Sequence, residues 1–310
     1  MSPLFGTSKA RKRIHLTLYA DERKKLCDRW DYMALLFVPT HQVESLCNHL
    51  ATAREKRQFF HELKFSGLNA KTRGAKSDVA RAWTETVIAD GRRPHYDFRF
   101  RILGIDRDNL RFSEFGAGDG PARKYATVYN RFFRSQLIGG VKFFFPGGEE
   151  IVVDAIYHDS QGHLEAHDYF SWHSIARAEL DLENVVFQCE RIDFVTSDPR
   201  HTEAHPLHSE LIQFTDVLLG AVSHCVECPS PGHIGQRIAS EPLVPLVRRM
   251  LQAPQNVHSA YGYHRRFDLS YFPSSRQHLG GSDLDGMLYR NRRLAIDDVL
   301  SGQLRLFGTT

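Results

Sequence analysis

The apolar positions of this chain change period in a regular order. Over 14–20 they alternate: Ile14, Leu16, Leu18 and Ala20 point one way and His15, Thr17, Tyr19 and Asp21 the other, as a strand requires. YMALLFVP predicts a second strand, ended by Pro39. THQVESLCNHLATAREKRQFF then takes a helical period, with Thr40 as N-cap and Val43, Leu46, Cys47 and Leu50 as its apolar stripe. The polar stretch NAKTRGAKSDV is a loop into a second helix around 78–90, with Ser77 at its start. FRFRILGID (98–106) predicts a third strand, FSEFGAGDGPAR a loop, and ARKYATVYNRFFRSQLI a helix. Pro146-Gly147-Gly148 turns the chain into a fourth strand, EIVVDAIYHD. A helix near 167–181, a fifth strand VFQCERIDFV and a helix carrying LIQFTDVLLGAVSH follow. Strands alternating with helices predict an α/β fold, a sheet covered by helices.

After Cys228 the breaker cluster PSPGHIG marks a boundary. The expected organisation is a basic tail over 1–13, a main domain over 14–228, and an Arg-rich extension over 229–310 packed on it. Within the extension, LVPLVRRMLQ predicts a short helix and RRFDLSYFP a short strand. Net charge is only +3, yet it is unevenly spread: +5 over residues 1–30, −6 over 31–228 and +4 over 229–310. Basic ends around an acidic centre fit phosphate-binding margins around a metal-binding middle. Candidate nucleic-acid contacts are Arg11, Lys12 and Arg13 at the start. Arg265 and Arg266, interleaved with Tyr261 and Tyr263 as in single-strand binders, are the others. The five cysteines are odd in number and scattered, unlike a disulfide framework. No apolar stretch reaches membrane-spanning length, and no secretory h-region follows the basic start, so the expected location is cytoplasmic with no membrane partner.

Candidate chemistry lies in acids placed where burial makes them costly. Asp21 ends the first apolar run, Glu62 sits in HELKF, Asp154 interrupts EIVVDAIY, and Asp216 lies inside the last helical pattern. Carboxylates brought together from separate elements are what metal-assisted phosphodiester hydrolysis needs, and Mg²⁺ or Mn²⁺ suits oxygen ligands. Two cations are expected. In the last helix Ser209, Gln213, Asp216 and Gly220 form one narrow face, small and polar, suited to close packing against a sheet. Glu62 and Lys64 form an E-x-K pair that points one way if HELKF is extended, Lys64 meeting water or phosphate.

These motifs resemble domain-of-unknown-function family 3800 (DUF3800): ADE near the end of strand one, E-x-K after the next helix, VVD in a late strand, and SELIQFTDVLLGA in the closing helix. The resemblance covers roughly residues 14–227. It implies a prokaryotic protein with an RNase H-like fold, a mixed sheet covered by helices, a metal-dependent nuclease, and a mobile-element or phage-defence setting. It carries over Asp21, Glu22, Glu62, Lys64, Asp154, Ser209, Gln213 and Asp216. The family's usual Asp-Glu-Ser-Gly opening is Asp21-Glu22-Arg23-Lys24 here, and its closing-helix Ala is Thr215. RNase H enzymes carry a loop histidine shortly before their last acidic helix. His201, His205 and His208 occupy that stretch, where a histidine can shuttle protons.

Other patterns carry less. His224, Cys225, Cys228 and His233 have zinc-like ligand types, but position 238 is Ile where a last cysteine belongs, and zinc is not expected. Gly116, Gly118 and Gly120 lack the strand and spacing of a dinucleotide site. His61-Glu62 has no second histidine at 65, and no nucleophile elbow occurs. The expected function is a two-metal nuclease acting on DNA or RNA. One rival is a restriction-type core, which needs an Asp on the strand just before the E-x-K pair; Asp31, at the start of a strand, is poorly placed for it. The other is a non-catalytic RNase H-like scaffold that binds nucleic acid or a partner protein.

Overall fold

The computed structural model describes residues 12–23, 30–88, 96–107, 121–160, 176, 182–198, 206–227, 233–247 and 266–272. Seven strands and five helices are assigned among them. In chain order they are β1 (Arg13–Arg23), β2 (Trp30–Pro39), α1 (Val43–Arg57), α2 (Ala75–Glu85), β3 (Arg99–Asp106), α3 (Pro121–Phe144), β4 (Glu150–Asp159), β5 (Val185–Phe187), β6 (Asp193–Val195), α4 (Pro206–Glu227), α5 (Ile234–Ser240) and β7 (Phe267–Phe272). The predicted helix near 167–181 lies outside the described residues apart from position 176. The predicted fifth strand is two short ones, β5 and β6, separated by the polar Gln188–Arg191 stretch. Thr40 does not cap α1. It opens a short 3-10 turn, Thr40–Gln42, and its hydroxyl donates to Asp154 instead. Ser77 lies inside α2, where its hydroxyl closes the cap by accepting from Gly74 N–H (3.0 Å) and donating to Gly74 O (2.8 Å).

The described strands make one mixed sheet in the order β5-β4-β1-β2-β3-β7, with β6 also paired to β4. Of the seven, β2 alone runs against its neighbours β1 and β3; β1–β4, β4–β5, β4–β6 and β3–β7 are parallel. Its unbroken apolar run fits this central place, because both faces of β2 are covered. On one face Tyr32, Ala34, Leu36 and Val38 join Tyr19, Leu211, Phe214 and Leu218 under α1, α2, α4 and α5. On the other, Met33, Leu35 and Phe37 join Leu16, Leu18, Phe132, Phe133 and Ile138 under α3. The alternation predicted for β1 is therefore real, with Tyr19 and Leu18 in different cores.

α3 reaches the sheet through Gly139 and Gly140. A Cβ on Gly139 would come within 2.5 Å of the Arg101 guanidinium, and one on Gly140 within 2.5 Å of the Phe37 ring. Arg101 is fully buried on β3 and pairs with Asp268 on β7 (2.6 Å). The segment after 229 is thus more than a coat on the main domain: its described strand is the sheet's edge, and α5 packs against α2 and α4. No described helix is long and apolar enough to cross a membrane.

Candidate functional site

Because β1 and β4 are parallel neighbours, their C-terminal ends emerge side by side. The register Ala20↔His158 sets Asp21 beside Asp159. Asp21 is 4% exposed, and its Oδ1 accepts from Glu22 N–H (2.7 Å). Burial pushes its carboxyl well above the usual range, and the Asp216 and Asp159 charges push the same way. α4 crosses this face and supplies Asp216, whose Oδ2 accepts from Phe65 N–H (2.6 Å). Burial raises Asp216 to about 6, against the opposing pull of that N–H and of Lys64 and Arg23, with Asp159 adding to the rise. Asp159 is raised too, by burial first, while Lys64, His158 and Ser197 hold it down.

Glu62 and Lys64 reach this group from the extended segment after α1. Lys64 Nζ lies 3.4 Å from Glu62 Oε1 and 3.8 Å from Asp159 Oδ2. Burial works to lower the Lys64 pKa, but the Asp159 and Glu62 charges outweigh it and keep the ammonium charged. Ser197, buried just past β6, donates to Glu62 Oε1 (2.7 Å). Two further cations lie close. Arg23 donates to Ser223 on α4 and draws the Asp216 pKa down; Lys76 feels both Glu62 and Asp216.

The small-polar face of α4 packs on this extended segment and the turn after it. Gln213 Oε1 accepts from Leu63 N–H (2.7 Å) and from Arg54 (2.8 Å), fixing the strand-like stretch that holds Glu62 and Lys64. Arg54 also donates to Glu210 (2.7 Å) and to His61 O (2.8 Å). At Gly220 any Cβ would run into the root of the Phe65 side chain. Ser209 offers its carbonyl to Gln213 Nε2 (3.5 Å).

Asp154 does not belong to this group, which corrects the expectation. It sits at a bulge in β4, where Leu16 pairs with Val153 and Thr17 with Ala155, so that Asp154 is passed over. Its carboxylate takes the Thr40 hydroxyl (2.6 Å) and His15 Nδ1 (2.9 Å). Five residues of strand, roughly 16 Å at ~3.3 Å each, separate it from Asp159. The bulge also reverses the alternation of β4. Beyond it, Tyr157 and Asp159 face α4, whereas Ile156 and His158 face α3.

Glu22, adjacent to Asp21, points to that opposite face, where its side chain is 2% exposed and 3.7 Å from His158 Nε2. Tyr129 completes this buried cluster by bonding His158. Asp31, needed by a restriction-type core, pairs with Arg107 (3.6 Å) on the α3 side of β2. His208 lies in the first turn of α4, stacked on Tyr157 (centroids 3.8 Å) with Nδ1 bonded to Tyr19 Oη (2.9 Å). Cys225 donates to Ser240 O (3.6 Å), His224 packs edge-on to Phe65, and His233 bonds Gln236 (3.1 Å), so these three point apart.

Of the basic residues, Arg13 pairs with Glu150 (2.6 Å) and Lys12 O accepts from Glu150 N–H, at the opposite end of β1 from Asp21. Arg266 binds Tyr96 O and Asp97, at the start of β7. Arg11, His201, His205, Cys228 and Arg265 lie outside the described residues.

No protein-family model, curated protein or solved structure matches the chain. The functional reading rests on these side chains. Oxygen donors alone make up the acidic set, the chemistry that a hard divalent cation takes. Among the described residues no three His, Cys, Asp or Glu side chains close around one point as a preformed cage does. Mg²⁺ fits without one, since it is usually held by one or two carboxylates while waters and substrate phosphate complete its shell. Sequence reasoning missed Asp159 and Ser197. Asp159 does carry a signal, since it ends an apolar run as Asp21 does; Ser197 carries none.

Proposed function

We propose that this chain is a divalent-metal-dependent nuclease that hydrolyses phosphodiester bonds on an RNase H-like sheet. One observation carries the reading: Asp21 and Asp159 from adjacent parallel strand ends, and Asp216 from the helix across them, each have a carboxyl raised by burial and by its acidic neighbours. Groups so perturbed at the C-terminal ends of parallel strands are the usual mark of a reactive site. The mixed sheet, with its first strand parallel to a late one and an acid on the closing helix, supports the same fold reading.

When bound, Mg²⁺ or Mn²⁺ polarises the phosphoryl oxygen and lowers the pKa of a coordinated water. Asp21 and Asp216 would hold it, with Asp159 beside them. Lys64, tethered by Glu62 and Asp159, presents an ammonium to a phosphate oxygen as a point charge. Gln213 keeps Lys64 and Glu62 in place through Leu63 N–H. Arg23 and Lys76 add positive charge beside the acids for a polyanionic strand.

The test is cleavage of single- and double-stranded DNA and RNA with Mn²⁺, Mg²⁺ or EDTA. Asp21→Asn, Asp159→Asn and Asp216→Asn are each expected to abolish metal-dependent cleavage, and Asp154→Asn to retain it. No cleavage of any substrate, with nucleic acid still bound, would leave the scaffold reading instead.

A further inference from the structure

The four carboxylates of the site divide into two pairs with different partners. Glu62 and Asp159 share the Lys64 ammonium at 3.4 and 3.8 Å, and Ser197 donates to Glu62 (2.7 Å). Among the described residues neither Asp21 nor Asp216 has an ammonium within ion-pair distance. Each has one oxygen fixed by a backbone N–H, Glu22 N to Asp21 Oδ1 (2.7 Å) and Phe65 N to Asp216 Oδ2 (2.6 Å). A carboxylate oriented through one oxygen keeps the lone pairs of the other for a further partner. Asp21 Oδ2 and Asp216 Oδ1 are those oxygens.

We infer that the site takes one divalent cation, held by Asp21 and Asp216, and that the Lys64 ammonium stands permanently where a second cation would sit between Glu62 and Asp159. The inference rests on the metal-dependent reading and lowers the cation count from the two expected of the sequence. Like-charge repulsion points the same way: a second divalent cation at Glu62 and Asp159 would sit against the Lys64 ammonium already held there, in a partly buried space where like charges repel far more than in water. The ammonium is tethered to the chain and needs no binding from solution, whereas Mg²⁺ dehydrates reluctantly.

Counting bound Mn²⁺ tests this without turnover. The full chain is titrated with Mn²⁺ and the electron paramagnetic resonance signal of the free ion is followed. The wild-type chain is expected to bind one ion, Lys64→Gln two, and Lys64→Arg one again, since the charge is restored. Asp216→Asn is expected to weaken the wild-type site by at least about tenfold. Two ions in the wild-type chain overturn the inference and leave the nuclease reading standing. One ion with no cleavage of any nucleic acid does the reverse, and no bound ion overturns both. A Lys64→Gln chain that keeps its far-ultraviolet circular dichroism yet binds one ion also overturns the inference; if that variant does not fold, the wild-type count decides.

Discussion

Replacing Gly220 by Ala sets two effects of opposite sign against each other. Gly in a helix interior costs up to about 1 kcal/mol relative to Ala, so on helix propensity alone the variant would be more stable. Gly220 lies well inside α4, but its new Cβ would collide with Cβ, Cγ and Cδ1 of Phe65. These atoms are the root of a side chain, not its flexible end. Phe65 is 3% exposed and held on both sides: its N–H is bound to Asp216 and its carbonyl accepts from Gln236 (3.3 Å). Overpacking of a tight core costs about 1–3 kcal/mol, and this collision belongs in the upper part of that range. The net expectation is a loss of about 1–2 kcal/mol, read by urea denaturation followed by circular dichroism. In a Phe65→Gly background, which removes every colliding atom, the same substitution should instead stabilise by up to about 1 kcal/mol. A Gly220→Ala chain more stable than wild type, or an equal effect in both backgrounds, would refute the packing argument.

Asp216→Asn should stabilise the folded chain at pH 7. The folded carboxyl, raised to about 6, binds its proton more tightly than the unfolded one, so wild-type stability falls as pH rises from about 4 through 6. The gain from the substitution is on the order of 3 kcal/mol at pH 7 and should vanish near pH 4 in denaturation series. A gain independent of pH would contradict it. Asp268→Ala removes the carboxylate paired with the buried Arg101 guanidinium and should cost about 3–5 kcal/mol in the same assay. Tyr129→Phe removes the hydroxyl that bonds His158 behind the site and should cost about 1–2 kcal/mol, measured as a lowered urea midpoint at unchanged slope.

Much of the scaffold was legible because the decisive forces are local. The alternation of 14–21, the unbroken run of β2 and the helical face of Ser209, Gln213, Asp216 and Gly220 all follow from backbone period and apolar burial, and the folded chain keeps each. What the small-polar face meets was not legible: its partner is the 62–67 segment as much as the sheet. On β4 the acid that joins the group is Asp159 and not Asp154, for a definite reason. An interruption of an apolar run suggested Asp154, but which residues of β4 face α4 depends on a bulge created by pairing with β1. A bulge set by pairing leaves no mark in the period of the strand itself. Ser197 joins the group only through a contact across a long stretch of chain, and nothing around it in the sequence singles it out.

The pairing of Arg101 with Asp268 also sets the order in which the chain can be completed. Synthesis from the N-terminus delivers β1, β2 and β3 early, and neighbouring strands can pair as they emerge. The guanidinium on β3 is then ready to be enclosed by α3, but the Asp268 charge arrives only with β7, near the far end of the sequence. Until then, closing α3 through Gly139 and Gly140 over Arg101 would bury the guanidinium without the Asp268 carboxylate. The nascent protein therefore keeps one edge of its sheet unfinished, and a chain cut short before β7 retains the sequence of its candidate site while lacking the charge that lets its core close.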